Sequence, residues 1–371
     1  MAVKAIHRPT RAVVSRKAIR HNIENEKKRL GEDVSLWAVI KADAYGHGMI
    51  EVATEAKKAG ANGFCVAYLD EALALRKAGF TEMILVLGVV EPIEEVKLAS
   101  EHHISLVAAS LSWLQRAARV LGDNELRIHL AIDSGMGRIG FTSIDEMKEA
   151  KAFLANHPQF IKEGLFTHFA TADETDDTYF HRQQERFLKA QSLFKDEVTY
   201  IHTANTATAF WHQAWDSNAI RFGVGIYGMN PSGSVISSPY PLEPAMSIET
   251  ELVFVKELPA GESISYGATY TTTTNEWIGT LPIGYADGFV RRYTGFEVLI
   301  DGKRAPIVGR VCMDQMMIRL PQEYPVGTKV TIIGRSGDLE NTFTMAADHI
   351  GTINYELTCI LGQRLPRVYV D

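Results

Sequence analysis

The sequence predicts an α/β chain built as an N-terminal (β/α)8 TIM barrel followed by a C-terminal all-β domain. Two observations carry this reading. Eight short apolar, β-branched runs alternate with helical patterns between residues 35 and 224, and alternating β and α units imply a parallel sheet. After Pro239-Tyr-Pro-Leu-Glu-Pro244 the texture changes to alternating runs cut by Pro, Gly and Asp-Gly signals, the signature of hairpin-linked strands.

The first helix spans 16–30, with Ser15 as its N-cap. Strands fall at 35–41, 63–67, 83–87, 104–108, 126–132, 160–167, 198–203 and 219–224. Helices fall between them at 49–59, 69–78, 92–101, 110–121, 143–155, 177–195 and 206–214. Eight such units fit a closed barrel, with an open doubly wound sheet as the alternative. Tail strands are expected at 247–256, 278–285, 297–300, 306–311 and 329–333. The domains are thus 11–241 and 242–371, with residues 1–10 packing with the second.

Composition limits the function. The 371 residues suggest two domains, and 46% hydrophobic with 22% charged residues suits a globular protein with a large core. A net charge of −7 without a basic block argues against a nucleic-acid partner. The start MAVKAIHRPTRAVVS lacks an apolar signal region, and no run of about 18 apolar residues occurs, so neither membrane nor export is expected. Three scattered cysteines without a CxxC point to a reducing cytoplasm. His102, His103, His129, His181 and His212 show no ligand spacing, so no metal is expected.

The chemistry starts at Lys41. A lysine ending a buried strand is desolvated, and its neutral amine can attack a carbonyl; the bland reading is a lysine snorkelling to solvent. Arg138 follows strand 5, His168 strand 6, Asn205 and Thr206 strand 7, while Arg221, Gly223 and Gly225 end strand 8. All lie on the rim where barrel enzymes carry their sites. HTANTA (202–207) turns from strand into helix, and the glycines of RFGVGIYG (221–228) let backbone amides approach a phosphate. Tyr45 can add a hydroxyl. With Lys41 these describe a site for an aldehyde that carries a phosphate. GMGRIG (135–140) fits a dinucleotide fingerprint only in its spacing, because it does not open a βαβ pair. Its Arg138 suits a substrate carboxylate.

The strings AVIKADAYGHG, GMGRIG, THFATAD, HTANTA and RFGVGIYG together resemble the alanine racemases, along nearly the whole chain. The resemblance implies pyridoxal 5'-phosphate (PLP) as cofactor and interconversion of L- and D-alanine, supplying D-alanine for peptidoglycan. It also implies a homodimer with shared sites. It makes Lys41 the Schiff-base residue and one catalytic base. Tyr45, Asn205, Thr206, Gly223, Val224 and Tyr355 become cofactor contacts, with Arg221 at the pyridine nitrogen and His168 behind the catalytic tyrosine. Arg138 becomes the carboxylate binder.

In the β-domain, SYGATY (265–270) supplies the second base, Tyr266, to the partner's site. VCMDQMM (311–317) supplies Met313, flanked by Cys312 and Asp314, and IGYADG (283–288) supplies Tyr285 at the entrance. Two bases on opposite faces of Cα are what racemisation requires. The family often carries a modified lysine steadying the arginine of GMGR, and this chain has Ala131 there. The expectation is that a bound anion or another side chain steadies Arg138 instead. Thr206 stands where serine is common. The alternatives are a broad-specificity or serine racemase, or a PLP-dependent decarboxylase, which normally has an acid where this chain has Arg221.

Overall fold

A computed structural model describes residues 3–212 and 217–371. The chain divides into two compact units. One comprises Ile19–Ala44 and Met49–Leu242; the other comprises the segment through Ala18, Tyr45–Gly48 and Glu243–Asp371.

The first unit is an eight-stranded parallel barrel. Its strands are β1 (Ser35–Val39), β2 (Gly63–Val66), β3 (Met83–Val86), β4 (Ser105–Ala108), β5 (Leu126–Ala131), β6 (Phe160–Phe166), β7 (Tyr200–His202) and β8 (Ala219–Phe222). They pair in the order 7-6-5-4-3-2-1-8, and a bridge between Ala204 and Ile220 closes the ring. Most are continuous apolar runs because helices cover the outside, as a parallel sheet demands. The helix Leu111–Leu121 shows how sequence sets its ends: Ser110 accepts the Trp113 N–H, and Trp113, Leu114, Ala117 and Leu121 form the buried stripe. The expected helix 206–214 runs Thr206–Trp211, and positions 213–214 lie outside the described residues.

Strand β1 ends at Val39, two residues short of Lys41. The chain then makes a left-handed turn in which Ala42, Asp43, Ala44 and Tyr45 all have φ between 52° and 54°. Such backbone costs about 1–2 kcal/mol per L-residue, so it needs fixed partners. Ala42 N–H donates to Glu71 at 2.6 Å, Ala44 N–H to the Ile40 carbonyl at 2.9 Å, and the Asp43 carboxylate accepts the Met49 N–H at 2.8 Å. Small residues at 42–44 keep that turn free of side-chain clashes.

The second unit is a largely antiparallel sheet. Its path runs Phe254–Leu258, Glu276–Leu281, Met316–Leu320, Lys303–Val308, Glu297–Ile300, Lys329–Ser336, Met246–Glu251, Arg11–Ser15 and Arg367–Val370. Arg11–Ser15 pairs antiparallel with Met246–Glu251 and parallel with Arg367–Val370. The run expected as one strand at 247–256 is two, because the chain bends at Val253 and the backbone switches partners, Leu252 N–H donating to Thr328 and Val253 N–H to Thr280. Two helices, Phe343–Ile350 and Asn354–Cys359, complete the unit. The segment Tyr45–Gly48 belongs here: Arg367 donates to the Gly46 carbonyl and Tyr369 to the His47 carbonyl. A Cβ on Gly46 would lie 2.1 Å from the Thr358 carbonyl oxygen, so only glycine fits.

Candidate active site

In the barrel unit Lys41, Arg138, His168, Thr206, Arg221 and Gly223 all follow or end strands at the C-terminal rim. Arg221, on β8, is 3% exposed, and both its terminal nitrogens act as donors. It gives hydrogen bonds to His202 Nδ1 (2.7 Å), the His202 carbonyl (2.6 Å), the Thr167 carbonyl (2.8 Å) and His168 Nδ1 (3.4 Å). Burial brings its pKa down to about 10, which leaves it charged at neutral pH.

That charge acts on His168. Burial, then the Arg221, Arg138 and Lys41 charges, bring the His168 pKa down to about 3. Its imidazole is therefore neutral, with Nδ1 facing the arginine as acceptor and Nε2 bearing the proton. Gln183 holds the strand-to-loop junction by donating to the His168 carbonyl (3.1 Å) and accepting the Ala170 N–H (2.9 Å).

Sequence reasoning missed what lies beneath Arg221. Because a guanidinium only donates, His202 accepts at Nδ1 and donates from Nε2 to His129 Nδ1 at 2.8 Å. His129 Nε2 then donates to Glu163 at 3.0 Å. Both imidazoles are kept neutral, His202 well below and His129 below the usual histidine range, mainly by burial. Burial alone would raise Glu163, but the bonds from His129 and Ser105 outweigh it and hold the carboxyl below its usual value. The chain Arg221–His202–His129–Glu163 crosses a barrel interior that otherwise packs apolar layers. Gly164 makes room for this chain, since a Cβ there would lie 2.2 Å from His129 Nδ1.

These buried neutral histidines set a pH dependence. Below about pH 6.5 the unfolded chain binds protons that native His168 refuses down to about pH 3, so stability falls as pH falls through that window. The expected loss is up to about 1.4 kcal/mol per pH unit for each such histidine. Urea unfolding at pH 7 and pH 5.5 measures it; equal stabilities would contradict the neutral assignment.

Thr206 and Gly223 meet: the Thr206 hydroxyl accepts the Gly223 N–H at 2.9 Å. Asn205 acts as N-cap, its side chain accepting the Thr208 N–H at 2.9 Å. The N–H groups at the start of this helix and of the 3-10 turn Val224–Tyr227 have no acceptor within their own element. The GMGR loop is shaped by Asp133, which accepts the Gly135 and Gly137 N–H groups, both at 3.0 Å. Arg138 at its tip is exposed and makes no hydrogen bond or ion pair among the described residues. Ala131 is buried and offers it no polar group.

The second unit holds the remaining residues. Tyr45 and Tyr355 place their ring centres 6.2 Å apart. Tyr266, 69% exposed, begins a 3-10 turn after Ser265, whose φ of 68° is fixed by its hydroxyl donating to the Arg310 carbonyl at 2.6 Å. Cys312, Met313 and Asp314 line the same hollow as Tyr266. Tyr285 N–H donates to the Cys312 carbonyl at 3.0 Å. Among the described residues no group of three His, Cys, Asp or Glu could hold a metal ion.

Residues 14–231 match the alanine racemase N-terminal domain family and residues 245–369 the alanine racemase C-terminal domain family. The chain is 56% identical to an alanine racemase of Pediococcus pentosaceus, covering 100% of this chain and 98% of that protein. It is 53% identical to one of Lactiplantibacillus plantarum, with 100% of both covered. The crystal structure of alanine racemase from E. faecalis superposes with a TM-score of 0.97 at 49% identity over 100% of both chains. A histidine racemase from Leuconostoc mesenteroides superposes with a TM-score of 0.92 at 34% identity, again over 100% of both. Two domain families in the right order, full-length relatives and the same fold put this chain in the alanine racemase family.

Proposed function

We propose that the chain is a PLP-dependent alanine racemase that acts as a homodimer with two bases, Lys41 of one subunit and Tyr266 of the other. The observation that carries the reading is Arg221: a buried donor, charged at neutral pH, at the barrel rim, flanked by neutral His168 and followed at once by the Gly223–Thr206 cup. That donor set fits PLP. Lys41 would hold its aldehyde carbon, while Thr206, Gly223, Val224, Tyr45 and Tyr355 would hold the phosphate and Arg221 the pyridine nitrogen. Asn205 contributes by capping the helix that carries Thr206. When bound, the cofactor supplies covalent capture of an amine and an electron-withdrawing ring that acidifies Cα–H.

The residues supply the rest. Arg138 and the Met313 N–H orient the substrate carboxylate, and Tyr285 with Cys312 and Asp314 shapes the entrance. Lys41 Nζ takes or gives a proton on one face of Cα, and Tyr266 Oη does so on the other. In this reading His168, backed by Arg221, would stand behind Tyr266 as its hydrogen-bond partner. Arg221 cannot accept a proton. It would therefore leave a pyridine nitrogen held beside it unprotonated, which would restrain side reactions. An acid there would favour the decarboxylase reading.

Three scattered cysteines without a CxxC fit a cytoplasmic enzyme, and the reaction fits D-alanine supply. The deciding experiment is chiral chromatography of L-alanine incubated with protein and PLP. D-alanine rising toward a 1:1 mixture is the expected result, and untouched L-alanine with PLP bound would overturn the reading. L-Serine run in parallel reads the breadth of specificity.

A further inference from the structure

Asp287 is fully buried in the strand-rich unit and carries an unusual load of donors. Both Arg8 guanidinium nitrogens Nη1 and Nη2 donate to it. Arg364 donates from Nε at 2.9 Å and Nη2 at 3.0 Å, and the Gly284 N–H donates at 3.1 Å. One carboxylate has about four lone-pair sites, so five donors saturate it. Two cations against one anion leave a positive charge over, and Arg364 passes it outward: Nη1 donates to Asp314 at 2.6 Å. The four groups Arg8, Asp287, Arg364 and Asp314 are together neutral.

The same cluster joins two turns. Tyr285 and Ala286 N–H groups donate to the Cys312 and Met313 carbonyls at 3.0 and 3.1 Å. Gly284 lies flush against them, with room for no Cβ: one would sit 2.3 Å from the Cys312 oxygen and 2.5 Å from that of Met313. The Gly362 N–H donates to the Asp287 carbonyl at 3.1 Å, anchoring the segment that bears Arg364. Asp314 lines the hollow of Tyr266 and Met313, and its side chain is 61% exposed. An uncompensated carboxylate there opposes any substrate that arrives as a carboxylate.

We propose that Arg364 is a positioning residue for substrate binding: it neutralises Asp314 at the rim of the Tyr266 hollow and ties the Met313 turn to buried Asp287. The proposal rests on the two-base reading, in which that hollow receives the amino acid. The arm from Arg364 to Asp314 is too exposed to contribute much to stability, and Arg8 still pairs with Asp287 when Arg364 is replaced. The arm's effect therefore falls on binding.

Steady-state kinetics of the PLP-loaded enzyme test this, with thermal unfolding measured on the same samples. Arg364→Gln is expected to raise KM for L-alanine about fivefold with kcat within about twofold. Arg364→Lys, which keeps the charge, recovers most of that rise. Asp314→Asn added to Arg364→Gln removes the exposed charge and lowers KM again. An unchanged KM in Arg364→Gln overturns the proposal. So does a lower unfolding midpoint with reduced kcat that neither second variant corrects, because that is a purely structural role. Tyr266→Phe run alongside separates the two readings. If it is inactive while Arg364→Gln keeps its KM, only the Arg364 proposal falls; if it stays fully active, the hollow is not the site.

Discussion

Replacing Lys41 with alanine is expected to lower alanine turnover by about 10⁴-fold or more, since one substitution removes both a nucleophile and a general base. Lys41 is half-buried at the mouth of the barrel, next to a left-handed turn whose hydrogen bonds are made by backbone and by the Glu71 and Asp43 side chains. Those bonds survive the truncation, and the expected loss is chemical. Chiral chromatography measures the rate, and far-UV circular dichroism confirms the fold. Added methylamine should restore part of the activity by re-supplying an amine. A variant within about tenfold of wild type would remove Lys41 from the mechanism.

Tyr266→Phe is the second large effect, expected at about 10²–10⁴-fold in kcat. The change deletes one oxygen from a ring that is exposed on its own subunit, and the Ser265–Arg310 bond that shapes its turn does not involve the hydroxyl. The two faces of Cα then become unequal. Lys41 continues to exchange the proton it faces, so in D₂O one enantiomer of alanine should take up deuterium at Cα while racemisation is nearly lost. Equal loss of exchange for both enantiomers would mean that Tyr266 does something other than serve as the second base.

The sequence carried the barrel well because its units are locally encoded. Each strand is a short apolar run, each helix has its own cap or stripe, and order alone then implies a parallel ring. It also placed the reactive residues on one rim, because position after a strand fixes the end of a barrel. What it could not carry was anything set by a partner far along the chain. The split at Leu252–Val253 leaves no mark, since the bend falls inside an apolar run, Leu252 to Val255, with no Gly or Pro to signal it. The left-handed turn after Lys41 depends on Glu71, and small residues alone read as loop. The His129–His202 link joins strands β5 and β7. In a linear reading those two residues are an isolated histidine and the first letter of a helix-start motif.

The N-terminal strand has a consequence for how the molecule is made. Arg11–Ser15 sits between Met246–Glu251 and Arg367–Val370, and the Arg11–Glu249 pair closes a loop of 238 residues. Arg11–Ser15 must therefore wait for Arg367–Val370 before its sheet is complete, whereas in the barrel only the β1–β8 pair is so distant and the other strands close with near neighbours. Long-range closure of this kind is slow because the entropy cost precedes the contact energy. A fragment starting at residue 243 would expose the bare edges of Met246–Glu251 and Arg367–Val370, and such edges invite intermolecular pairing. Aggregation of that fragment, relieved by adding a peptide of residues 8–18, is the behaviour this topology dictates.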